Sequence, residues 1–254
     1  MNKQPVSYLQ TDPRWKDKPY QVKGETATVG GSGCGPSCAA MVIETLTGQT
    51  CTPLDACNWS VAHGYKALRQ GTYYGYFAAH FKVFGIACKQ LLGARLSHQP
   101  AHPVHDQVKQ YLADGYYAIA LMGPKDIKNN VRGTWTKGGH FVLLWAWDDK
   151  VRINDPASTA SQRTNGDPET FRQEVRNYWL VDARDYNKED KPVTYEEWKA
   201  FMERYRQELR EQPAGMPDLL VDAKAMGLTD GYRPRDFVTR EEAAVMARAA
   251  ALKK

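Results

Sequence analysis

As far as about residue 180 the apolar positions fall into short runs broken by glycine, proline and polar turns, and beyond that point they take helical spacing. Positions 39–46 are mainly apolar up to the stop at Gly48, and Pro36 suits a first helical position, so a helix is expected to open beside Cys34 and stop at Gly48. After Gly138-Gly139-His140 comes an apolar strand that reaches Trp147. Asp148-Asp149-Lys150 turns the chain, and Val151-Arg152-Ile153-Asn154-Asp155-Pro156 returns it as a second strand. Trp145 and Trp147 read as sheet packing. Past a charged, proline-ended link at 187–192, Thr194-Tyr195-Glu196-Glu197 forms a capping box. Trp198, Phe201, Met202, Tyr205 and Leu209 then share one helical face, which is expected to be packing surface, with self-association as the alternative. The last forty residues read as two short helices around a turn at 228–234. A second capping box, Thr239-Arg240-Glu241-Glu242, opens the final helix.

A chain of 254 residues fits one medium domain with a small appendage. The expected division is a body at 1–186, a link and amphipathic helix at 187–213, and a helical module at 214–254. Apolar residues make up 42%, enough for a sizeable core, and no apolar run approaches the ~18 residues of a membrane helix, so a soluble chain without a membrane span is expected. The first residues lack the apolar stretch of a signal or transit peptide, and export would need another route. The five cysteines (34, 38, 51, 57, 88) are odd in number in a chain too long to need staples, so reduced thiols are expected. No pair has CxxC spacing and the histidines are scattered, so neither a metal site nor a cofactor is expected. The net charge of +5 lies in residues 1–185, with 21 Lys and Arg against 16 Asp and Glu; residues 186–254 hold 13 of each. That mild excess is compatible with an anionic surface, but no basic stripe argues for nucleic acid.

The stretch that carries chemistry is Val29-Gly-Gly-Ser-Gly-Cys34-Gly-Pro-Ser-Cys38. A thiol at a helix N-terminus meets the positive end of the dipole and unpaired N–H groups, which favour the thiolate and can receive an oxyanion. Phosphate binding would want a Gly-Lys-Ser/Thr ending or GxGxxG, and neither is present. Cys38, one turn on, is the alternative nucleophile, although its helical position faces the core. A thiolate needs an oriented base. In a hairpin of this length the first residue of the outbound strand and the end of the return strand lie together, so His140 and Asp155 (or Asn154) can meet. Tyr73, Tyr74 and Tyr76 line a substrate groove or belong to the core, and Gly139 is counted on the substrate side. His63 and His80 lack an orienting partner nearby in sequence, and His98, His102 and His105 sit in a loop-like stretch expected at the surface.

Tyr8-Leu-Gln-Thr-Asp-Pro-Arg-Trp, Gly-Cys34-Gly-Pro, Asn58-Trp59 with Gly64-Tyr65, Gly71-Thr72 before Phe77, Gly139-His140-Phe-Val and Asn154-Asp155-Pro-Ala-Ser together resemble the C39-like cysteine peptidases, over about residues 6–180. The resemblance implies an α+β papain-like fold with an antiparallel sheet. It also implies Cys34 as nucleophile, His140 as base, Asp155 as its orienter and Gln10 as the side-chain oxyanion donor. Such enzymes commonly carry this glutamine a few residues before the cysteine, where Thr28 and glycines stand here, so the donor must come from far upstream. Gly-Leu-Thr-Asp-Gly-Tyr-Arg-Pro (227–234) and Phe-Val-Thr-Arg-Glu-Glu-Ala-Ala-Val-Met (237–246) resemble an S-layer homology repeat of the kind appended to phage lysins. That second resemblance implies a wall tether, with homo-oligomerisation through the C-terminal helices as the alternative. Taken together, the two imply a phage-type endolysin cutting peptidoglycan amide bonds, held in the host cytoplasm until lysis. The alternatives are a peptidase cutting a protein or leader peptide after Gly-Gly, and a papain-like wall-binding module without turnover.

Overall fold

A computed structural model describes residues 2–187 apart from 97, 127 and 130, the helix at 195–211, and further on only residues 221, 223–226, 243, 247, 248 and 251. The chain divides into two compact units, Met1–Lys188 and Glu189–Lys254.

In the first unit a helical turn α1 (Val29–Ser32) leads into α2 (Cys34–Thr47), followed by α3 (Pro53–Ala62) and α4 (Tyr76–Val83). Strand β1 (Cys88–Gln90) and helix α5 (Val104–Ala113) precede β2 (Tyr117–Met122), β3 (His140–Trp147) and β4 (Val151–Asn154). The chain then passes through α6 (Ser161–Thr164), β5 (Asn165–Gly166), α7 (Pro168–Glu174), β6 (Val175–Val181) and α8 (Arg184–Asn187). The six strands form one antiparallel sheet in the order β1-β6-β2-β3-β4-β5.

Alternation along the central strands builds two cores. Ile119, Leu121, Phe141, Leu143, Trp179 and Val181 face a layer that includes Cys38, Met41 and Val42 of α2 and Phe77 and Phe81 of α4. Their neighbours Ala118, Ala120, Val142, Leu144, Tyr178 and Leu180 face Val104, Val108 and Leu112 of α5 and Phe171 of α7. With both faces covered, β2, β3 and β6 read as nearly unbroken apolar runs. The mixed helix and antiparallel-sheet architecture is the α+β papain-like class that the resemblance implied.

Two local expectations are corrected. Helix α2 begins at Cys34 itself with Gly33 as N-cap, so Pro36 stands at the third helical position and not the first. His105, expected in a surface loop, is fully buried on α5, where its ring meets Tyr178 Oη at 2.9 Å and the Gln99 carbonyl at 2.9 Å. Pro100 and Pro103 read as loop, yet Pro103 serves as the N-cap of that helix.

In the second unit, α9 (Tyr195–Glu211) is amphipathic, with Tyr195, Trp198, Phe201 and Tyr205 exposed and stacked in the pairs Tyr195–Trp198 and Phe201–Tyr205. Thr194, the side chains of Glu197 and Leu209, and the 227–242 stretch that carries the repeat-like motif and the second capping box lie outside the described residues. Among the described residues no helix is long and apolar enough to cross a membrane.

Candidate active site

The nucleophile candidate is positioned by glycines that let backbone pack on backbone. Thr28 caps the α1 turn by accepting from Gly31 N–H at 3.2 Å, and Gly33 N–H closes that turn on the Val29 carbonyl at 2.8 Å. A Cβ at Gly33 would stand 2.6 Å from that carbonyl oxygen, and one at Gly35 would crowd Thr72 and Phe141. Both positions therefore need glycine so that the mouth of α2 can sit against the rest of the molecule, not for the approach of a phosphate. Cys34 occupies the first position of the helix, 9% exposed.

His140 opens β3, and Asp155 directly follows β4. The register Leu143↔Asn154, continued past the turn at Asp148–Lys150, brings the two to one end of the hairpin. His140 Nε2 lies 2.7 Å from Asp155 Oδ1, which leaves Nδ1 for the sulfur, and the imidazole is hydrogen-bonded to Cys34. Asp155 is itself held on both oxygens: Oδ1 also accepts Ala157 N–H at 2.8 Å, and Oδ2 accepts Arg163 Nε–H at 2.6 Å. Asn154, the alternative orienter, is turned away from the imidazole and donates to the Pro5 and Val6 carbonyls at 3.0 and 3.1 Å.

Electrostatics favours a charged sulfur–imidazole pair. Burial by itself would push the Cys34 thiol up. The hydrogen bond and positive charge of His140, with the backbone N–H groups of Phe141 and Gly35, override that and bring it below the ordinary thiol value. Burial likewise pulls His140 down, yet its hydrogen bonds to Asp155 and Cys34 hold it up at about 9. The two shifts run in the senses that stabilise thiolate beside imidazolium. Cys38 shows the opposite: fully buried in the apolar layer, its thiol is pushed well above the ordinary value by burial and by the charges of Cys34 and Asp155.

Cys34 and His140 open on a cleft of about 1640 Å³ whose lining also includes Gln10, Tyr74 and Gly139. Gln10 arrives from far upstream: its N–H donates to the Pro156 carbonyl at 2.7 Å, beside Asp155, and its Nε2 donates to the Gly30 carbonyl at 2.7 Å. Its Oε1 is buried and has no partner among the described residues. The fold thus brings residues 10, 34 and 140 to one cleft, with Asp155 held on the imidazole. Tyr73 departs from the expected groove: it is exposed and stands outside the lining, whereas Tyr74 lines the cleft with its ring edge-on to Trp179 at 5.3 Å, and Tyr76 is core. His80 is buried against the Trp59 ring and bonded to Tyr76 Oη, and His63 stacks on the same indole from the exposed end of α3. Neither reaches the cleft lining. Among the described residues no cluster of His, Cys, Asp and Glu is arranged to hold a metal ion.

Arg163 carries no mark in the sequence. It sits in a polar stretch, Ser161-Gln162-Arg163-Thr164, with nothing local to distinguish it, and only the turn after Pro156 brings it onto Asp155.

Comparison with known proteins gives a family. The model of the Peptidase_C39 like family matches residues 14–186, more than two thirds of the chain. A crystal structure from Bacillus anthracis, described as a C39-like peptidase, is similar over 71% of this chain and 98% of its own, with 16% identity and a TM-score of 0.43. Curated proteins give no match. The chain belongs to the Peptidase_C39 like family and is a hydrolase of the cysteine peptidase type.

Proposed function

We propose that this protein cleaves amide bonds of bacterial peptidoglycan through an acyl-enzyme on Cys34, in the manner of a phage endolysin. The observation that carries the reading is His140 lying between the Cys34 sulfur and Asp155 at the mouth of an open cleft. The thiolate attacks the carbonyl carbon, and the oxyanion forms beside the N-terminus of α2, where backbone N–H groups and the uncommitted N–H of the Gln10 amide can receive it. The imidazolium then gives its Nδ1 proton to the leaving amine, and the C–N bond breaks. Neutral His140 next takes a proton from water, hydroxide adds to the thioester, and the carboxylic acid leaves as the C–S bond breaks. Asp155 holds the ring by Nε2 throughout, and Arg163 holds Asp155. The wall as substrate, and a tail that tethers, rest on the resemblance of 227–246 to an S-layer homology repeat.

Mass analysis of purified peptidoglycan and of a peptide containing Gly-Gly, each incubated with the protein, tests this. New muropeptides with a freed amine and carboxyl are expected, lost in Cys34→Ala and kept in Cys38→Ala. Cleavage of the Gly-Gly peptide with the wall intact would establish leader-type processing instead. Hydrolysis that survives Cys34→Ala and disappears in Cys38→Ala would move the nucleophile. A Cys34 that alkylates no faster than free cysteine, without hydrolysis, would leave a binding module.

A further inference from the structure

The cleft is charged unevenly. Its lining includes three cations, Arg69, Arg95 and Lys137, against one carboxylate, Glu25. The cations come from three separate stretches: the turn closed by the Lys66–Thr72 bridge, the segment after β1, and the loop leading into β3. All three are exposed, and among the described residues no hydrogen bond or ion pair engages their side-chain charges. Glu25 does not offset them. Its Oε1 accepts from buried Lys66 Nζ at 2.7 Å and from Val22 N–H at 3.0 Å, and its Oε2 accepts Arg69 N–H at 2.6 Å. The carboxylate is thus spent on holding the rim together. Arg95, in turn, feels another cation, Arg176, whose guanidinium is committed to the Gln173, Val175 and Pro124 carbonyls.

We infer that this cleft selects peptides bearing a carboxylate close to the scissile amide, an acidic side chain or a free C-terminus, read by Arg69, Arg95 and Lys137. The inference rests on Cys34 as the reacting group and adds the chemical class of what is presented to it. Each exposed pair alone contributes little. Three like charges on the walls of one concave site act together, focusing the field and raising the local concentration of anions. The planar guanidinium of an arginine also matches a carboxylate with two parallel hydrogen bonds, which a single point charge cannot do.

Two alkylating reagents that differ only in charge test this, and neither requires the natural substrate. Iodoacetate and iodoacetamide both form an S–C bond at Cys34 and release iodide, and mass analysis of the Cys34 peptide gives each rate. The ratio of the two, taken within each protein, cancels changes in the thiol's own reactivity, and His140 is common to all. A charge at ~10 Å in water changes the approach of an anion about twofold, so the ratio is expected to fall severalfold, and by about eightfold where all three act from that range, in the triple variant Arg69→Gln, Arg95→Gln, Lys137→Gln at low salt. The difference is expected to collapse at ~1 M salt, where the screening length is ~3 Å. Tri-glutamate, acetylated and C-terminally amidated so that only its side chains are charged, is also expected to protect Cys34 from iodoacetamide at lower concentration than tri-glutamine blocked in the same way. An unchanged ratio, or equal protection by the two peptides, overturns the inference. If Cys34 is as slow as free cysteine toward both reagents while the ratio still falls in the variant, the charge selection stands and the hydrolase reading fails.

Discussion

Replacing Asp155 by alanine removes the acceptor that keeps His140 charged, and the size of the effect follows from the contacts. The carboxylate is 2% exposed and accepts from His140 Nε2 at 2.7 Å, Ala157 N at 2.8 Å and Arg163 Nε at 2.6 Å. A hydrogen bond to a charged group contributes ~1.5–3 kcal/mol, and one pKa unit is ~1.4 kcal/mol, so the imidazolium should lose ~1–2 units. His140, held at about 9, is expected to titrate at ~7–8 in Asp155→Ala, because burial still pulls it down and only the Cys34 contact remains to oppose it. The sign for activity follows directly. The productive pair exists above the pH where Cys34 ionises and is lost as pH rises through the His140 value. The alkaline limb of kcat/KM should therefore move to lower pH by the same interval. An NMR titration of labelled histidine gives the midpoint, and iodoacetamide rates at Cys34 across pH give the thiolate. The variant also leaves the Arg163 guanidinium without its counter-charge, and breaking a buried pair costs ~3–5 kcal/mol. The double variant Asp155→Ala, Arg163→Met removes that orphaned charge and should recover stability while the His140 midpoint stays below its wild-type value. A midpoint that remains at about 9 in Asp155→Ala would refute the reasoning.

Two further outcomes test other parts of the molecule. Gln10→Ala should lower kcat by ~10²–10³, the scale for removing one oxyanion donor, with a stability loss of only ~1 kcal/mol from the bond to the Gly30 carbonyl; a loss under threefold in steady-state kinetics takes Gln10 out of the machinery. His80, lowered to about 4 chiefly by burial, is neutral in the folded protein and binds a proton on unfolding below its ordinary value near 6.5. Stability should therefore fall as pH drops from ~6.5 to ~4, by up to ~3 kcal/mol, and urea unfolding of His80→Phe should show a shallower dependence over that interval; an identical slope removes His80 as a cause.

Much of the site could be read in the chain because local signals coincide with it. The apolar stretch ended by Gly48, in the left-handed conformation at φ 69°, marks α2 and hence the seat of Cys34. The hairpin was legible because its turn and return strand are punctuated, and that alone brings residues 140 and 155 to one end. Three features were less open to such reading. Gln10 came from the resemblance only, since its arrival depends on Asn154 fastening residues 5 and 6 and on the Pro156 carbonyl taking its N–H. The burial of His105 depends on Tyr178, 73 residues away, and no local pattern records such a partner. Tyr73 and Tyr74 look alike in sequence, and only the packing of Tyr74 on Trp179 separates the one in the cleft from the one in solvent.

Arg163 completes the balance of charge around the buried thiol and imidazole through its ion pair with Asp155. Burial is the largest influence on Cys34 and acts against ionisation, so the compensation must come from charge brought into the same region. One imidazolium beside the thiolate provides it. That imidazolium is in turn buried and needs Asp155, and the three together would leave one uncompensated negative charge out of water, which is costly. Arg163, with its side chain only 13% exposed and its Nε on the far oxygen of Asp155, brings the sum of the four groups to zero. The chain thus alternates sign along a single line, sulfur, imidazole, carboxylate, guanidinium, with each member next to its opposite. The same alternation fixes direction, because Asp155 cannot swing toward the sulfur while its second oxygen is held by Arg163, and so it stays on the far side of the ring, where it orients His140 without competing for the thiol proton.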